Sequence, residues 1–371
     1  MARICGMREL TAASGVSAGR SRSLAQVYRH FGEVDAAETS PLYQRVAVAL
    51  SESEEALRAI ETAPARKRQP TMILAALHDL ALAGRAPALA GAYAAADGDA
   101  AADAAIDTLL RMTDAVVAIA ARRKTQIDEV GRYAVLYPGI AEAARQVGVD
   151  AVGLIDVGRP AGLNLNVDRV GITYSNGQSL GDPSSPVQRS CSLVGDRPVP
   201  SRAIPEVRTR VAVHLDPIDV TDAEDVRWLR ACLGPDQREP MARLEAELRL
   251  AATAPPLLLR GDPVDVLPEA VSRVPAAALP VVITTWALSR FPPERRLRFL
   301  HRIEEAAAGR PVAWVSVEGV GVAPTIPTLG DRRASGHSLI GVALFGRSLP
   351  GPQTIGRCWS RGRVLTWLAD S

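Results

Sequence analysis

After Gly148 the sequence alternates short runs of branched apolar residues with stretches of helical periodicity. This alternation is typical of a parallel β-sheet covered by helices on both faces, because parallel strands need helix-length crossovers. The runs that predict parallel strands are AVGLIDV, TRVAVHLD, PPLLLRGD, LPVVITTW and RPVAWVSVEG. Two further runs, HSLIGVALFG and TIGRCWSRGRVLTWL, have no helix between them and predict an antiparallel hairpin at the edge of the sheet. The pattern predicts an α/β fold with seven strands over residues 149–371.

The chain before this sheet predicts a helical domain over residues 25–148. Its first helix is indicated by Ser40 as N-cap and Pro41 at the first helical position, followed by recurring apolar residues. Residues 1–24 carry no such pattern and predict a disordered extension. Residues 174–206, rich in Gly, Ser and Pro, predict a long loop without helix or strand, either a lid or a floppy insertion.

Composition limits the classes of function. With 43 basic against 41 acidic side chains, no overall field gathers polyanions, so we expect no nucleic-acid partner. The four cysteines and five histidines are scattered, which indicates neither a metal site nor a disulfide framework. No stretch is apolar enough for a membrane span, and the N-terminal segment lacks the apolar centre of a secretion signal. We therefore expect a cytoplasmic protein without a membrane partner; its oligomeric state is unknown from sequence.

The first strand leads into a turn that bears two glycines. Asp156 ends that strand, and Gly158 and Gly162 flank the turn. In an open parallel sheet the ligand crevice lies beyond the carboxyl ends of the strands. Glycine lets a backbone approach a ligand, and a helix beginning near Ala161 would direct its N–H groups at an anion. The alternative is a structural corner of the kind that any crossover needs.

Further candidate residues follow later strands. Asp216 closes the second strand and Asp262 the third, and Trp286 follows the fourth. A single acid at a strand end is often only a helix cap. Acids at three successive strand ends favour one shared binding slot.

This order of elements resembles the seven-stranded Rossmann-like fold of S-adenosylmethionine-dependent methyltransferases. The resemblance implies that the first turn holds the methionine part of S-adenosylmethionine, that Asp216 accepts hydrogen bonds from the ribose, and that Asp262 lies beside the adenine ring. The implied cofactor-binding residues are Asp156, Gly158, Gly162, Asn164, Asp216 and Asp262.

A closer resemblance covers about Leu24 to Leu368. The motifs SPLY, TQIDEVGRYAVL, AGLNLNVDR, GDPSSPV and DVTDAEDVRWLRACLGPDQ, with the Gly261–Asp262 pair, resemble the uncharacterised bacterial family DUF2332. That family's turn resembles G-A-S-A-G-L-N, whereas this chain has Arg159 and Pro160 at its second and third positions. Pro160 removes a backbone donor, and Arg159 adds a charge that favours the cofactor's carboxylate but opposes its sulfonium. The alternative is that Arg159 points to solvent and Pro160 begins a helix.

The segment TQIDEVGR joins the helical domain to the sheet. Glu129 is a candidate proton acceptor and Arg132 a candidate bidentate clamp for an anionic substrate, and with Trp286 they are the candidate catalytic residues. The alternative is a network of acids and arginines that joins the domains. Ile127 and Asp128 depart from the family's TQTNEVGR.

Two functions of different classes follow from these patterns. The first is an S-adenosylmethionine-dependent methyltransferase that acts on an unknown small molecule. The second is a non-catalytic Rossmann-like scaffold or ligand-binding protein that has lost the cofactor. A nicotinamide-dependent oxidoreductase is disfavoured because the turn lacks a full G-x-G-x-x-G pattern, and a serine hydrolase because no G-x-S-x-G elbow occurs.

Overall fold

The computed structural model describes residues 23–125 and 132–369. Contacts divide the chain into two compact units, the first ending at Lys124 and the second beginning at Thr125. The division therefore lies before the boundary expected at Gly148. Of the expected extension, residues 1–24, the first 22 residues lie outside the described part of the chain. A helix begins at Leu24.

The described part of the first unit is helical. Ser40 caps a helix as expected, since its Oγ accepts a hydrogen bond from the Tyr43 N–H at 3.2 Å and Pro41 is the first helical residue. The apolar pattern that follows is interrupted at Ser53, which caps a new helix, and again at Met112. The α-helices are α1 (Leu24–His30), α2 (Pro41–Glu52), α3 (Glu54–Glu61), α4 (Pro70–Leu82), α5 (Pro87–Ala95), α6 (Gly98–Arg111) and α7 (Thr113–Arg122).

The second unit is built on a mixed β-sheet. In chain order its elements are α8 (Tyr133–Val147), β1 (Ala151–Val157), β2 (Gly171–Tyr174), β3 (Ser179–Gly181), β4 (Gln188–Leu193), β5 (Glu206–His214), α9 (Ala223–Ala231), α10 (Arg238–Ala252), β6 (Leu257–Arg260), α11 (Leu267–Ser272), β7 (Leu279–Thr285), α12 (Pro293–Ala306), β8 (Val312–Gly319), β9 (Ser338–Phe345), β10 (Gln353–Trp359) and β11 (Val364–Trp367). The order across the sheet is β3-β2-β4-β11-β10-β9-β8-β7-β1-β5-β6.

The parallel part of the sheet follows the alternation in the sequence. Strands β6, β5, β1, β7 and β8 are neighbours in this order and all pair in parallel, which confirms the α/β prediction. Apolar residues cover both faces, with α8 in the core on one face and α11 and α12 in the core on the other. Gly139 lets α8 approach β8 closely, because a Cβ there would lie 2.9 Å from Val315 Cγ1. This packing makes α8 part of the sheet-bearing unit, although its sequence continues the helical pattern.

The seven-stranded prediction was wrong, because the sheet has 11 strands. Strands β9 and β10 pair in an antiparallel hairpin as expected, but they lie inside the sheet rather than at its edge. Beyond them β11 pairs with β10, and β4 pairs in parallel with β11. The segment 174–206, expected to be without strands, supplies β3 and β4. β3 forms a short hairpin with the neighbouring β2, and β4 pairs both with β2 and with the distant β11. The Gly, Ser and Pro residues of this segment predicted a loop, because the strands between them are short.

The turn after β1 also differs from the prediction. Residues Leu163–Arg169 form a 3₁₀-helix that begins after Gly162, in place of an α-helix beginning near Ala161. Asn164, Asn166 and Asp168 occupy this segment, and short polar side chains of this kind favour caps and turns over helix interiors. The chain then enters β2, so this connection has no α-helix whose N-terminus faces the turn.

Within residues 23–125 and 132–369, no single helix is long and apolar enough to cross a membrane. Among these residues, α4 and α5 reach the length and apolar composition of a membrane span only when they are counted together, and the two helices are bent by 100° relative to each other.

Candidate functional site at the carboxyl ends of β1 and β7

Strand β1 lies between β5 and β7 in the centre of the parallel region. Of the parallel strands that follow β1 in the chain, β5 and β6 lie on one side of it and β7 and β8 on the other. In open α/β sheets ligands bind where connections diverge in this way, beyond the carboxyl ends of the strands. The crevice between β1 and β7 is therefore the place to test the predicted site.

The side chain of Arg159 fills this crevice. Arg159 is 8% exposed, and its guanidinium group reaches from the turn after β1 to the last residue of β7. Its Nε donates to Thr285 Oγ1 at 3.2 Å and its Nη2 to the Thr285 carbonyl oxygen at 2.9 Å. The Asn164 amide donates to the same Thr285 Oγ1 at 3.3 Å. Arg159 therefore points into the protein, not to solvent.

Both glycines of the turn are required by the protein's own packing. Gly158 has φ +91°, and a Cβ there would lie 2.7 Å from the Cβ of Ala287 in the turn after β7. Gly162 has φ +58°, and its Cβ would lie 2.8 Å from the Cβ of Ala212 in β5. Residues without a Cβ are therefore needed here for close contact between backbone segments. This supports the structural alternative for the glycine corner.

Two of the three candidate catalytic residues lie together. The guanidinium carbon of Arg132 is 4.1 Å from the centre of a Trp286 ring, a cation–π contact. The backbone N–H of Arg132 donates to Asn164 Oδ1 at 3.3 Å, which joins this pair to the cluster of Arg159, Asn164 and Thr285. Trp286 has φ +51°, uncommon for a bulky residue, and its Nε1 donates to Ser338 Oγ at 2.8 Å. Glu129, the third candidate, lies outside the described residues.

Asp156 is fully buried on the face of the sheet that packs against α8. It alternates with Val152 and Leu154, which belong to the same core as Tyr133 of α8. Burial raises the pKa of Tyr133 well above its ordinary value, and the nearby charges of Glu247 and Asp156 act in the same direction. Tyr133 donates to the buried carboxylate of Glu247, which also forms an ion pair with Arg189 at 2.5 Å. Asp156 is therefore a buried acid whose charge acts on Tyr133 of this network.

The acids after β5 and β6 are engaged by arginines. Asp216 has a side chain 51% exposed, with Oδ1 3.3 Å from Nη1 of Arg260. Asp262 accepts a hydrogen bond from the Val264 N–H at 2.9 Å and pairs with Arg295 of α12. Burial acts to raise the pKa of Asp262, but the Val264 N–H and Arg295 outweigh it and hold that pKa below its usual value.

A buried acid at the end of β8 was not predicted from the sequence. Glu318 is 1% exposed, and its Oε1 accepts hydrogen bonds from the N–H groups of Ala287 at 2.9 Å and Leu288 at 3.1 Å. Its Oε2 has no hydrogen-bond partner among the described residues. Burial raises the pKa of Glu318 to about 7, although those N–H groups and the charge of Arg159 oppose the rise. An acid at a strand end was the available signal, since RPVAWVSVEG ends in Glu and Gly.

These residues do not fit S-adenosylmethionine. A protein guanidinium occupies the crevice, the turn glycines are closed against Ala287 and Ala212, and Asp216 and Asp262 each face an arginine. In the part of the chain that is described, no group of three or more His, Cys, Asp or Glu residues is arranged to hold a metal ion.

The model of one protein family matches residues 25–367 of the chain. The family is described as "Uncharacterized protein conserved in bacteria (DUF2332)". No curated protein matches the chain.

Proposed function

Because the chain belongs to the DUF2332 family, whose description assigns no activity, we propose its function from the geometry: it is a non-catalytic Rossmann-like binding scaffold. One observation carries this proposal, the two hydrogen bonds from Arg159 to Thr285 across the crevice. Through these bonds the Arg159 guanidinium group, a part of the protein itself, occupies the hydrogen-bond acceptors at the end of β7. In the resembled methyltransferases the cofactor lies at this point.

Three further features support the scaffold. The connection after β1 offers no α-helix N-terminus to bind a carboxylate. Gly158 packs against Ala287 and leaves no space for a ligand between backbone segments. The near balance of charge, 43 basic against 41 acidic residues, gives no general attraction for nucleic acid.

Methyl transfer at this crevice would require the Arg159 side chain to leave it. A fixed guanidinium also opposes a sulfonium cation electrostatically, because like charges at short range in a buried site repel strongly. Methyltransferase activity is therefore the alternative that the experiment must address directly.

Titration calorimetry with S-adenosylmethionine and its demethylated product tests the proposal. We expect no saturable heat for the wild-type protein at millimolar ligand. The double variant Arg159→Ala with Pro160→Ser restores the family's turn, and Arg208→Ala is the matched control, since Arg208 forms an exposed pair with Glu206. Saturable binding of either compound by the wild-type protein would overturn the scaffold proposal.

A further inference from the structure

We propose that the crevice between β1 and β7 is a guanidinium-binding site that the protein fills with its own Arg159. The inference rests on the proposed function and deepens it, because it names the chemical class of ligand for which the crevice is built. Three features of the crevice favour a guanidinium group: the acceptors at the end of β7, the buried acid Glu318 and the volume that the Arg159 side chain occupies.

The acceptors match a planar, forked donor. Thr285 is fully buried and presents its Oγ1 and its carbonyl oxygen to two different nitrogens of one guanidinium group, at 3.2 and 2.9 Å. A guanidinium group carries several N–H donors in a rigid fork, whereas an ammonium is a compact point charge. Two acceptors of one residue, used together, therefore favour a guanidinium over a lysine-like amine.

The electrostatics of the site favour a cation. Glu318 is almost completely buried, and the charge of Arg159 acts on its carboxylate. Asp156 is fully buried at the end of β1. The other nearby cation, Arg132, stacks on Trp286. Removal of the Arg159 charge therefore removes a cation that favours the ionised form of the buried Glu318 carboxylate, and a buried charge is costly unless it is paired.

The side chain of Arg159 occupies interior volume. It is 8% exposed and extends from a backbone turn that Gly158 and Gly162 hold tightly against Ala287 and Ala212. Truncation of a buried side chain leaves a cavity, since the surrounding structure relaxes only partly. The cavity in Arg159→Ala would be lined by the acceptors of Thr285, so its walls are polar and specific to a donor.

Thermal unfolding of the full chain in guanidinium chloride tests the site. A ligand that binds only the folded state raises Tm by mass action. We expect low millimolar guanidinium to raise the Tm of Arg159→Ala saturably by several degrees, relative to equal sodium chloride. The wild-type protein and Arg208→Ala should show no such rise. Equal responses of Arg159→Ala to the two salts, or the same rise in Arg208→Ala, would overturn the inference.

Second variants locate the effect. We expect the guanidinium-dependent rise to disappear in Arg159→Ala with Thr285→Val, which lacks the Oγ1 acceptor, and to weaken in Arg159→Ala with Glu318→Gln. A rise that persists unchanged in both would place guanidinium elsewhere and contradict the inference. If Arg159→Ala does not fold in plain buffer, the yield of soluble protein refolded with guanidinium against sodium chloride gives the same decision.

The two proposals fail separately. Binding of S-adenosylmethionine by the wild-type protein would overturn the scaffold function, whatever the response of Arg159→Ala to guanidinium. A missing guanidinium effect, with no cofactor binding by the wild-type protein, would overturn the guanidinium site alone.

Discussion

At the scale of single residues, the glycine corner and its arginine have a structural explanation. Gly158 adopts φ +91°, and its missing Cβ is needed for contact with Ala287. The same features in the sequence predict a ligand turn equally well, because a cofactor and a neighbouring backbone both require a residue without a side chain. The direction of the Arg159 side chain distinguishes a structural corner from a ligand turn, and no pattern in the sequence indicates that direction.

The contact at Gly158 leads to a stability prediction. Gly158→Ala should destabilise the protein through a left-handed alanine and through overlap with Ala287. Gly177→Ala is the matched control, since Gly177 has φ +85° but no atom within 4 Å of its hypothetical Cβ. We expect Gly158→Ala to lose about 1–3 kcal/mol more than the control in urea unfolding, the usual cost of overpacking. Equal losses would show that a Cβ at Gly158 does not overlap with Ala287.

Glu318 should make stability depend on pH. Its folded-state pKa of about 7 exceeds the ordinary value of 4.5. At pH values between these two, the folded protein holds a proton on Glu318 that the unfolded chain has released. The unfolding free energy from this group therefore falls as pH rises from about 4.5 to about 7. Glu318→Gln should flatten that slope in denaturant titrations, while leaving the part due to Glu247, whose pKa burial also raises to about 7.

Asp262 gives the matched comparison, because its pKa is shifted in the opposite direction. Its stabilising contribution is present above the ordinary pKa of 3.8 and is lost as pH falls. Asp262→Asn should therefore weaken the protein at neutral pH and leave the slope between pH 4.5 and 7 unchanged. A slope unaffected by Glu318→Gln would contradict the assignment.

At the scale of elements, the joint between β4 and β11 holds the sheet together. These strands pair in parallel at Ser192 with Val364 and at Leu193 with Leu365. The Ser192 N–H donates to the Arg363 carbonyl oxygen at 2.8 Å and the Val194 N–H to the Leu365 carbonyl oxygen at 2.9 Å. Through this short joint β2, β3 and β4 belong to the same sheet as the parallel strands.

The joint can be weakened at one hydrogen bond. Val194→Pro removes the N–H that bonds to Leu365, while Val194 itself is 52% exposed, so little packing is lost. We expect a loss of about 1 kcal/mol in urea unfolding, the usual net value of one hydrogen bond. Val194→Ala keeps the N–H and should change stability by less than about 0.5 kcal/mol, as surface substitutions do. Similar losses in the two variants would show that the bond contributes nothing.

The elements that the sequence predicts well are those whose pattern is local. The runs of β1, β5, β6, β7 and β8 alternate with helices, and their parallel pairing follows from that alternation. The strands β3 and β4 are short and interrupted by Gly, Ser and Pro, and one partner of β4, the strand β11, lies far along the chain. At the site, Asn164 was predicted to bind a cofactor and Arg132 and Trp286 to act in catalysis; the structure brings these three residues together, and their roles stay predictions. Thr285 and Glu318 gave only ordinary strand-end signals.

At the scale of the whole molecule, the cysteines report on the integrity of the sheet. Cys191 of β4 and Cys358 of β10 are buried, and burial raises the pKa of each thiol to about 12. Cys232, after α9, is partly exposed. Reaction with a disulfide reagent requires the thiolate and access to it.

Thiol labelling should therefore separate these cysteines. In a Cys5→Ser background, which removes the cysteine outside the described residues, we expect Cys232 to react first. Cys191 and Cys358 should react slowly, at rates that rise together with denaturant as the sheet unfolds. The residues are identified by mass spectrometry of the labelled peptides. Reaction of Cys191 in native buffer as fast as Cys232 would contradict the buried position of β4.

The pairing of β4 with β11 has a consequence for biosynthesis. A ribosome makes β2, β3 and β4 early and β11 long afterwards, so the β4 edge of this group stays unpaired while the rest of the unit is made. Closing so distant a contact has a high entropic cost and slows folding. We infer that attachment of this group is a late step and that a nascent chain stalled before Val364 exposes a strand edge to chaperones or to aggregation.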